Sequence, residues 1–330
     1  MAAVSHRWQY SDRHFIDDVE QTQRLAEGSE VINDVHLVDI SVSYSITKRF
    51  TAILAIPFQF ATRSQAIRDT RRDAEGNLIN PSRFASPKGE VSGAVIDRYE
   101  TSAYGLSDIR VLGTAWLLDP DNNKRQNVSL GLGVLFPTGE KDVKDTFTVG
   151  AFAPDGTYQP QAEVRNVDNS IQPGSGAFGF MLDVYGFAEL FKDFNVFAAG
   201  TYIATPSEDA GVKDRPGPAA RIWSVADSFL VRAGMGYTFR PGLVEGITLT
   251  FGGRMEGSPS TDIFGSSGGR RRPGFAISVE PGIVATKDGW FASFSAPVAV
   301  HRHRERDFED DEGDAAFADF MTLLTVGRRF

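Results

Sequence analysis

From Val4 to Phe330 the chain is a succession of segments, roughly ten to fourteen residues each, in which every second side chain is apolar. Strand side chains repeat their direction every two residues, so each segment presents one apolar and one polar face. The first sets Val4, His6, Trp8 and Tyr10 against Ser5, Arg7, Gln9 and Ser11. Val38, Ile40, Val42 and Tyr44 follow, then the short turn Thr47-Lys-Arg49, then Ala52, Leu54, Ile56, Phe58 and Phe60. A long polar segment, about Ser64 to Ser102, precedes the paired strands at Ile109 to Leu117 and Val128 to Phe136. Asp119 to Lys124 joins that pair with turn-forming residues. A second long segment, about Gly139 to Ser175, comes next. Short turns recur near Lys192-Asp193, Pro241-Gly242 and Lys287-Asp-Gly289, with long loops between them.

The spacing predicts about twelve strands joined by short and long connections in strict alternation. That is an all-β, antiparallel, up-and-down transmembrane β-barrel, with short periplasmic turns, long extracellular loops and both termini in the periplasm. A soluble sandwich predicts neither alternating loop lengths nor aromatic residues near strand ends on the apolar face. The whole of residues 1–330 reads as a single barrel domain.

Composition agrees. The mean hydropathy is -0.22, as expected where apolar residues occupy only every second position. The chain has 33 Gly for turns and crowded interiors, and 25 Phe, 8 Tyr and 4 Trp for membrane girdles. With 0 Cys, neither a disulfide framework nor thiol chemistry is available. The net charge of -9 argues against a nucleic-acid partner, which needs a basic face. Met1 to Arg7 shows no signal peptide, and the exported character of the rest points to one already removed.

In lipid every backbone group must be bonded within the protein, so the sheet must close and the polar faces must line the lumen. By parity the lumen-lining candidates are Arg7, Asp39, Asp108, Arg110, Asp183, Glu189, Arg232, Arg254, Glu256 and Glu280. Both signs are present, so ion pairs across a narrow interior are expected. The plainer reading is that these charges only fill and solvate the barrel; the functional one is a polar track for solute. Asp227 breaks an apolar face and is expected near the outer rim. A lumen of this strand number lies between those of the smallest barrels and the large porins, and long loops can plug it.

Candidate chemistry is sparse. His301, His303 and Glu305 share a strand face, a spacing compatible with zinc, but a solvated rim is the expected reading. Asp307 to Asp314 is an acidic run without the spacing of a calcium loop, so a solvated acidic loop is the expected reading, and in an outer leaflet its acids could share divalent ions with lipopolysaccharide. Arg270-Arg-Arg272 could meet lipid phosphates. None of the five histidines stands in a catalytic context for a barrel lipase or protease, so neither enzyme activity, metal nor cofactor is expected.

The terminal stretch places Phe320, Thr322, Leu324, Val326, Arg328 and Phe330 on one face. It resembles the closing strand of outer-membrane barrels, where assembly machinery reads an aromatic terminus. Two further stretches are more specific: Tyr104-Gly-Leu-Ser-Asp-Ile-Arg-Val-Leu-Gly-Thr-Ala-Trp-Leu-Leu118 and Ser129-Leu-Gly-Leu-Gly-Val-Leu-Phe-Pro-Thr-Gly-Glu140. They resemble the hairpin of outer-membrane transporters of the phenol-degradation type, with Ser107 where glycine is expected. The resemblance implies a bacterial outer-membrane channel for small hydrophobic or aromatic molecules, surrounded by lipid and lipopolysaccharide. A plugged structural barrel anchoring a protein partner is the alternative, and a barrel enzyme the third.

Overall fold

The computed structural model describes residues 1–330 except 208, 214–217, 219, 266 and 306–314. Twelve antiparallel strands close into a barrel. They are β1 (Ala2–Ser11), β2 (Ile32–Ser45), β3 (Phe50–Arg68), β4 (Val95–Leu106 and Ile109–Trp116), β5 (Gln126–Phe136) and β6 (Gly179–Phe191). The second half comprises β7 (Phe194–Ala204), β8 (Ser228–Phe239), β9 (Gly246–Ser258), β10 (Gly274–Lys287), β11 (Trp290–Ser295 and Val298–Arg304) and β12 (Phe320–Arg328). Each strand pairs with its chain neighbour. Closure comes from β1 on β12, with Val4 opposite Val326 and Trp8 opposite Thr322. Without an edge, every ladder hydrogen bond is satisfied inside the protein, the condition for crossing hydrocarbon with strands.

The connections alternate as the spacing predicts. Residues 46–49, 117–125, 192–193, 240–245 and 288–289 make the short end, where both termini lie. At the last of these, Asp288 (φ 50°) and Gly289 (φ 76°) both take left-handed backbone, the geometry that lets a two-residue turn follow the strand twist.

The outward faces form a continuous apolar belt. Ile40, Leu54, Leu132, Leu182, Leu249, Ile283 and Leu324 are all exposed on it. Exposed aromatics bracket the belt: Tyr44, Tyr237, Phe239 and Trp290 toward the short turns, Phe60, Tyr104, Phe178 and Phe180 toward the long loops. Soluble monomers rarely expose apolar patches beyond a few hundred Å². A ring encircling the molecule is the surface of a barrel seated in a bilayer.

Two features differ from the sequence expectation. First, β3 runs to Arg68 and β4 starts at Val95, so the connection is 69–94 rather than about Ser64 to Ser102. Beyond the belt both faces of a strand meet water, so the apolar alternation stops while backbone pairing continues, as at Gln65 opposite Tyr99. Second, the connection after β5 is ordered. It carries the hairpin Lys144–Phe152 and Tyr158–Asn166, then a single 3₁₀ turn, Asn169–Ile171, that enters the barrel mouth. The acidic run Asp307 to Asp314 lies outside the described residues.

Candidate functional site

The lumen holds a central cavity of about 660 Å³ and, toward the long loops, a second of about 580 Å³. Asn33, Ser170, Arg272 and Arg304 line both, so the segment carrying Ser170 stands between them.

That segment is held by apolar contact and by charge. Val167 and Ile171 pack against Val35, Ala61 and Ala103, small or branched residues on the inward faces of β2, β3 and β4. The Gln59 side chain donates to the carbonyls of Ile171 (2.9 Å) and Gln172 (3.1 Å). Asp168 caps the turn by accepting from the Ser170 N–H at 2.9 Å. Its two oxygens take both Nη atoms of Arg272, at 2.7 and 2.9 Å, and Arg63 lies 3.5 Å away. Arg63 also donates to Asn33 at 2.7 Å and to Ser170 at 3.2 Å. Burial by itself would raise the Asp168 carboxyl, but Arg272 and Arg63 outweigh it and hold the group well below the usual carboxylate range.

The root of the segment uses the residues that carried the sequence resemblance. At the break in β4, the Asp108 carboxylate accepts from the N–H of Gly139 (3.0 Å) and of Ser175 (2.7 Å). The Thr138 hydroxyl donates to the Ser107 carbonyl at 3.1 Å and accepts from the Ile109 N–H at 2.9 Å. Asp108 therefore fastens the two ends of the inserted loop instead of projecting into open lumen. Gly139 and Gly174 stand back to back here, and a Cβ on Gly174 would run into the Gly139 carbonyl. Overpacking of this kind costs about 1–3 kcal/mol. Gly174→Ala is accordingly expected to loosen the loop root while leaving the strands paired. Faster protease cleavage within 139–178, with unchanged heat-modifiable mobility, is the outcome to look for.

The other candidates are placed as follows. Arg7, Arg110, Asp183, Arg254 and Glu256 line the central cavity. Arg7 reaches Glu256 at 3.1 Å, and Arg254 meets the same carboxylate at 2.6 Å. Arg110 pairs with Asp39, and the Thr201 hydroxyl donates to Asp183 at 2.8 Å. Arg232 grips Glu280 through two contacts, 3.0 and 2.7 Å, and Ser295 donates to the same carboxylate at 2.8 Å. Glu189 lies at the short-turn rim, paired with Arg125 at 2.8 Å and accepting from the Asp193 N–H at 3.1 Å.

Asp227 is fully buried at the long-loop end of β8, accepting from the N–H of Thr205 (2.6 Å) and Ile263 (2.9 Å) and from the Tyr202 hydroxyl (2.7 Å). It ties loops together. The arginine run also turns inward: Arg271 pairs with Asp262 at 2.8 Å and Arg272 with Asp168, so neither is presented to lipid phosphates. His303 meets Asp18 at 2.6 Å at the long-loop rim, with His301 3.7 Å from the same carboxylate. Among the described residues no group of three or more metal-ligating side chains forms.

Inward aromatics below the cavity escaped the sequence reading. Trp116, Tyr185 and Phe187 share the parity of Arg110 and Asp183 and pack with ring centroids 6.0 to 6.2 Å apart. Phe197 sits beside Arg232, whose guanidinium lies 6.0 Å from its ring. The signal was available in the register: these positions alternate with the outward residues Ala115, Val184 and Gly186.

No model of a known family matches the sequence, and neither does any curated protein. Solved structures do match in shape. An outer membrane channel from Pseudomonas putida F1 aligns over 100% of this chain and 94% of its own, with TM-score 0.57 and 12% identity. The CymD monoaromatic hydrocarbon channel aligns over 100% and 88%, with TM-score 0.51 and 9% identity. At these identities the likeness shows the fold alone, a closed antiparallel β-barrel like those of outer-membrane channels.

Proposed function

We propose that the chain is an outer-membrane channel for small molecules with apolar or aromatic bodies, entering from the long-loop side through the central cavity. The observation that carries this reading is the sequence of surfaces along the axis. A cavity of about 660 Å³ with apolar and charged walls lies above the lumen-facing ring cluster of Trp116, Tyr185 and Phe187. Its volume falls within the roughly 300–1,000 Å³ of small-molecule sites. The monoaromatic hydrocarbon channel of like fold supports it. Asp39–Arg110 and Arg232–Glu280 then keep lumen charges paired, so a solute meets fixed dipoles rather than isolated ions.

A second reading draws on the Asn169–Ile171 turn, which stands between the two cavities and favours a sealed barrel that anchors a partner. No feature of the described residues favours a barrel enzyme over either. Conductance of the purified protein in planar bilayers, with and without benzene-sized aromatic solutes, separates the two. Discrete steps that solute interrupts are the expected result. A folded but silent barrel that copurifies with another protein would overturn the channel reading in favour of the scaffold.

A further inference from the structure

The central cavity mixes charged and apolar walls, and the charges around Glu256 are unbalanced. Arg7 on β1 reaches across to β9 and shares Glu256 with Arg254. Arg7 Nη2 lies 3.1 Å from Oε1, while Arg254 Nη2 and Nε lie 2.6 and 3.2 Å from Oε2. Two guanidiniums thus divide one carboxylate, leaving a positive charge. The Arg7 Nε is buried with no hydrogen-bond partner, and the remaining contact of its Nη2 is the Met321 sulfur at 3.1 Å, a weak acceptor. The nearest other charges on this wall are already matched, since Arg110 pairs with Asp39. Asp183, on the opposite side of the barrel, is held by Thr201 and makes no ion pair with either arginine. Apolar side chains line the same space: Met181, Ile203 and Leu230, with Leu230 directly across the β8–β9 ladder from Glu256 and Asp183 two residues from Met181.

We propose that the solute class is a small monocarboxylate with an apolar body. Its carboxylate docks on Arg7 and Arg254 beside Glu256, and its body lies against Met181, Ile203 and Leu230. Guanidinium recognises carboxylate through paired, charge-assisted hydrogen bonds, and it does so best where water is partly excluded. Glu256 orients the two arginines and at the same time competes with the incoming anion, which keeps binding weak enough for passage. The inference deepens the channel reading and rests on it for its biological meaning, although the binding itself can be measured apart from flux.

The test is calorimetric titration of the full-length barrel, folded in detergent, with benzoate, benzyl alcohol and benzylamine. These share a body and differ in charge. Benzoate is expected to bind about tenfold or more tightly than the alcohol, with benzylamine weakest. Arg7→Gln is expected to reduce benzoate affinity by about tenfold, toward that of the alcohol. Glu256→Gln, which releases both guanidiniums, is expected to tighten benzoate several-fold. Equal affinity for benzoate and benzyl alcohol, absence of benzoate binding, or weakening by Glu256→Gln each overturns the proposal. The wild-type comparison decides it even if a variant fails to fold. A barrel that binds benzoate but passes no current would sink the channel reading and leave this one standing. Current steps without preference for benzoate would do the reverse.

Discussion

Asp168→Ala is expected to raise single-channel conductance severalfold. Asp168 is the only acid lining the second cavity among the described residues, and both Arg272 and Arg63 converge on it. Removing it leaves Arg63, with 8% of its side chain exposed, facing no carboxylate at 3.5 Å. Breaking a buried ion pair from one side costs about 3–5 kcal/mol. Burying Val167 and Ile171 contributes about 1.5–3 kcal/mol each in the other direction. The ion-pair loss therefore cancels much of what holds the segment in the mouth. Asp73→Ala, on the exposed loop 69–94 where Asp73 only closes a turn with Asn77, is the matched control and should leave conductance unchanged. Equal conductance in wild type and Asp168→Ala would show that the 167–172 segment does not limit passage.

The same clamp has a defined pH sense. The folded carboxyl of Asp168 is depressed below its unfolded value of about 3.9. Its contribution is therefore present above that value and is lost as pH falls through the lower, folded value. Protection of the segment from proteolysis is expected to be flat from about pH 8 to about pH 5 and to fail only in stronger acid. A loss of protection near neutrality would assign the hold to some other group.

The strands were legible because lipid on one side and a wet lumen on the other force a period of two wherever the chain crosses the membrane. Leu132 outward and Gly131 inward follow from that alone. The period says nothing where both faces are wet, which is why β3 was read as ending near Phe60 although it pairs on to Arg68. It is also blind to the mouth. Asp168 lies 104 residues from Arg272 in sequence, and Val167 and Ile171 are isolated apolar positions in a polar loop. No local pattern announces that they enter a barrel. Parity assigns Arg7, Arg254 and Glu256 to one face, but their convergence depends on Arg7 reaching from β1 to β9, a contact between residues 249 apart. Trp116, Tyr185 and Phe187 were missed for the converse reason: aromatic residues on such strands were assigned to lipid by type, although their register turns them inward.

Leu132→Arg is expected to cost about 2–4 kcal/mol of folding stability, because this position lies between the two aromatic girdles on the lipid side. The leucine is 72% exposed, pairs with Leu182 on β6 and lies near the middle of β5. In water a side chain so exposed could be exchanged for arginine within about 0.5 kcal/mol. In a bilayer the guanidinium must be dragged into hydrocarbon or must bend the strand toward a headgroup, and neither is cheap at mid-depth. Leu243 supplies the comparison, since it is 82% exposed but stands on the short connection 240–245, beyond the girdle of Tyr237 and Phe239. Leu243→Arg should be nearly neutral. Urea unfolding of both variants in lipid vesicles measures the difference directly. Similar small effects at the two positions would mean that depth in a membrane does not govern this surface, and the barrel would have to be a soluble one. A large effect at Leu132 alone ties the alternation in the sequence to the medium that imposed it.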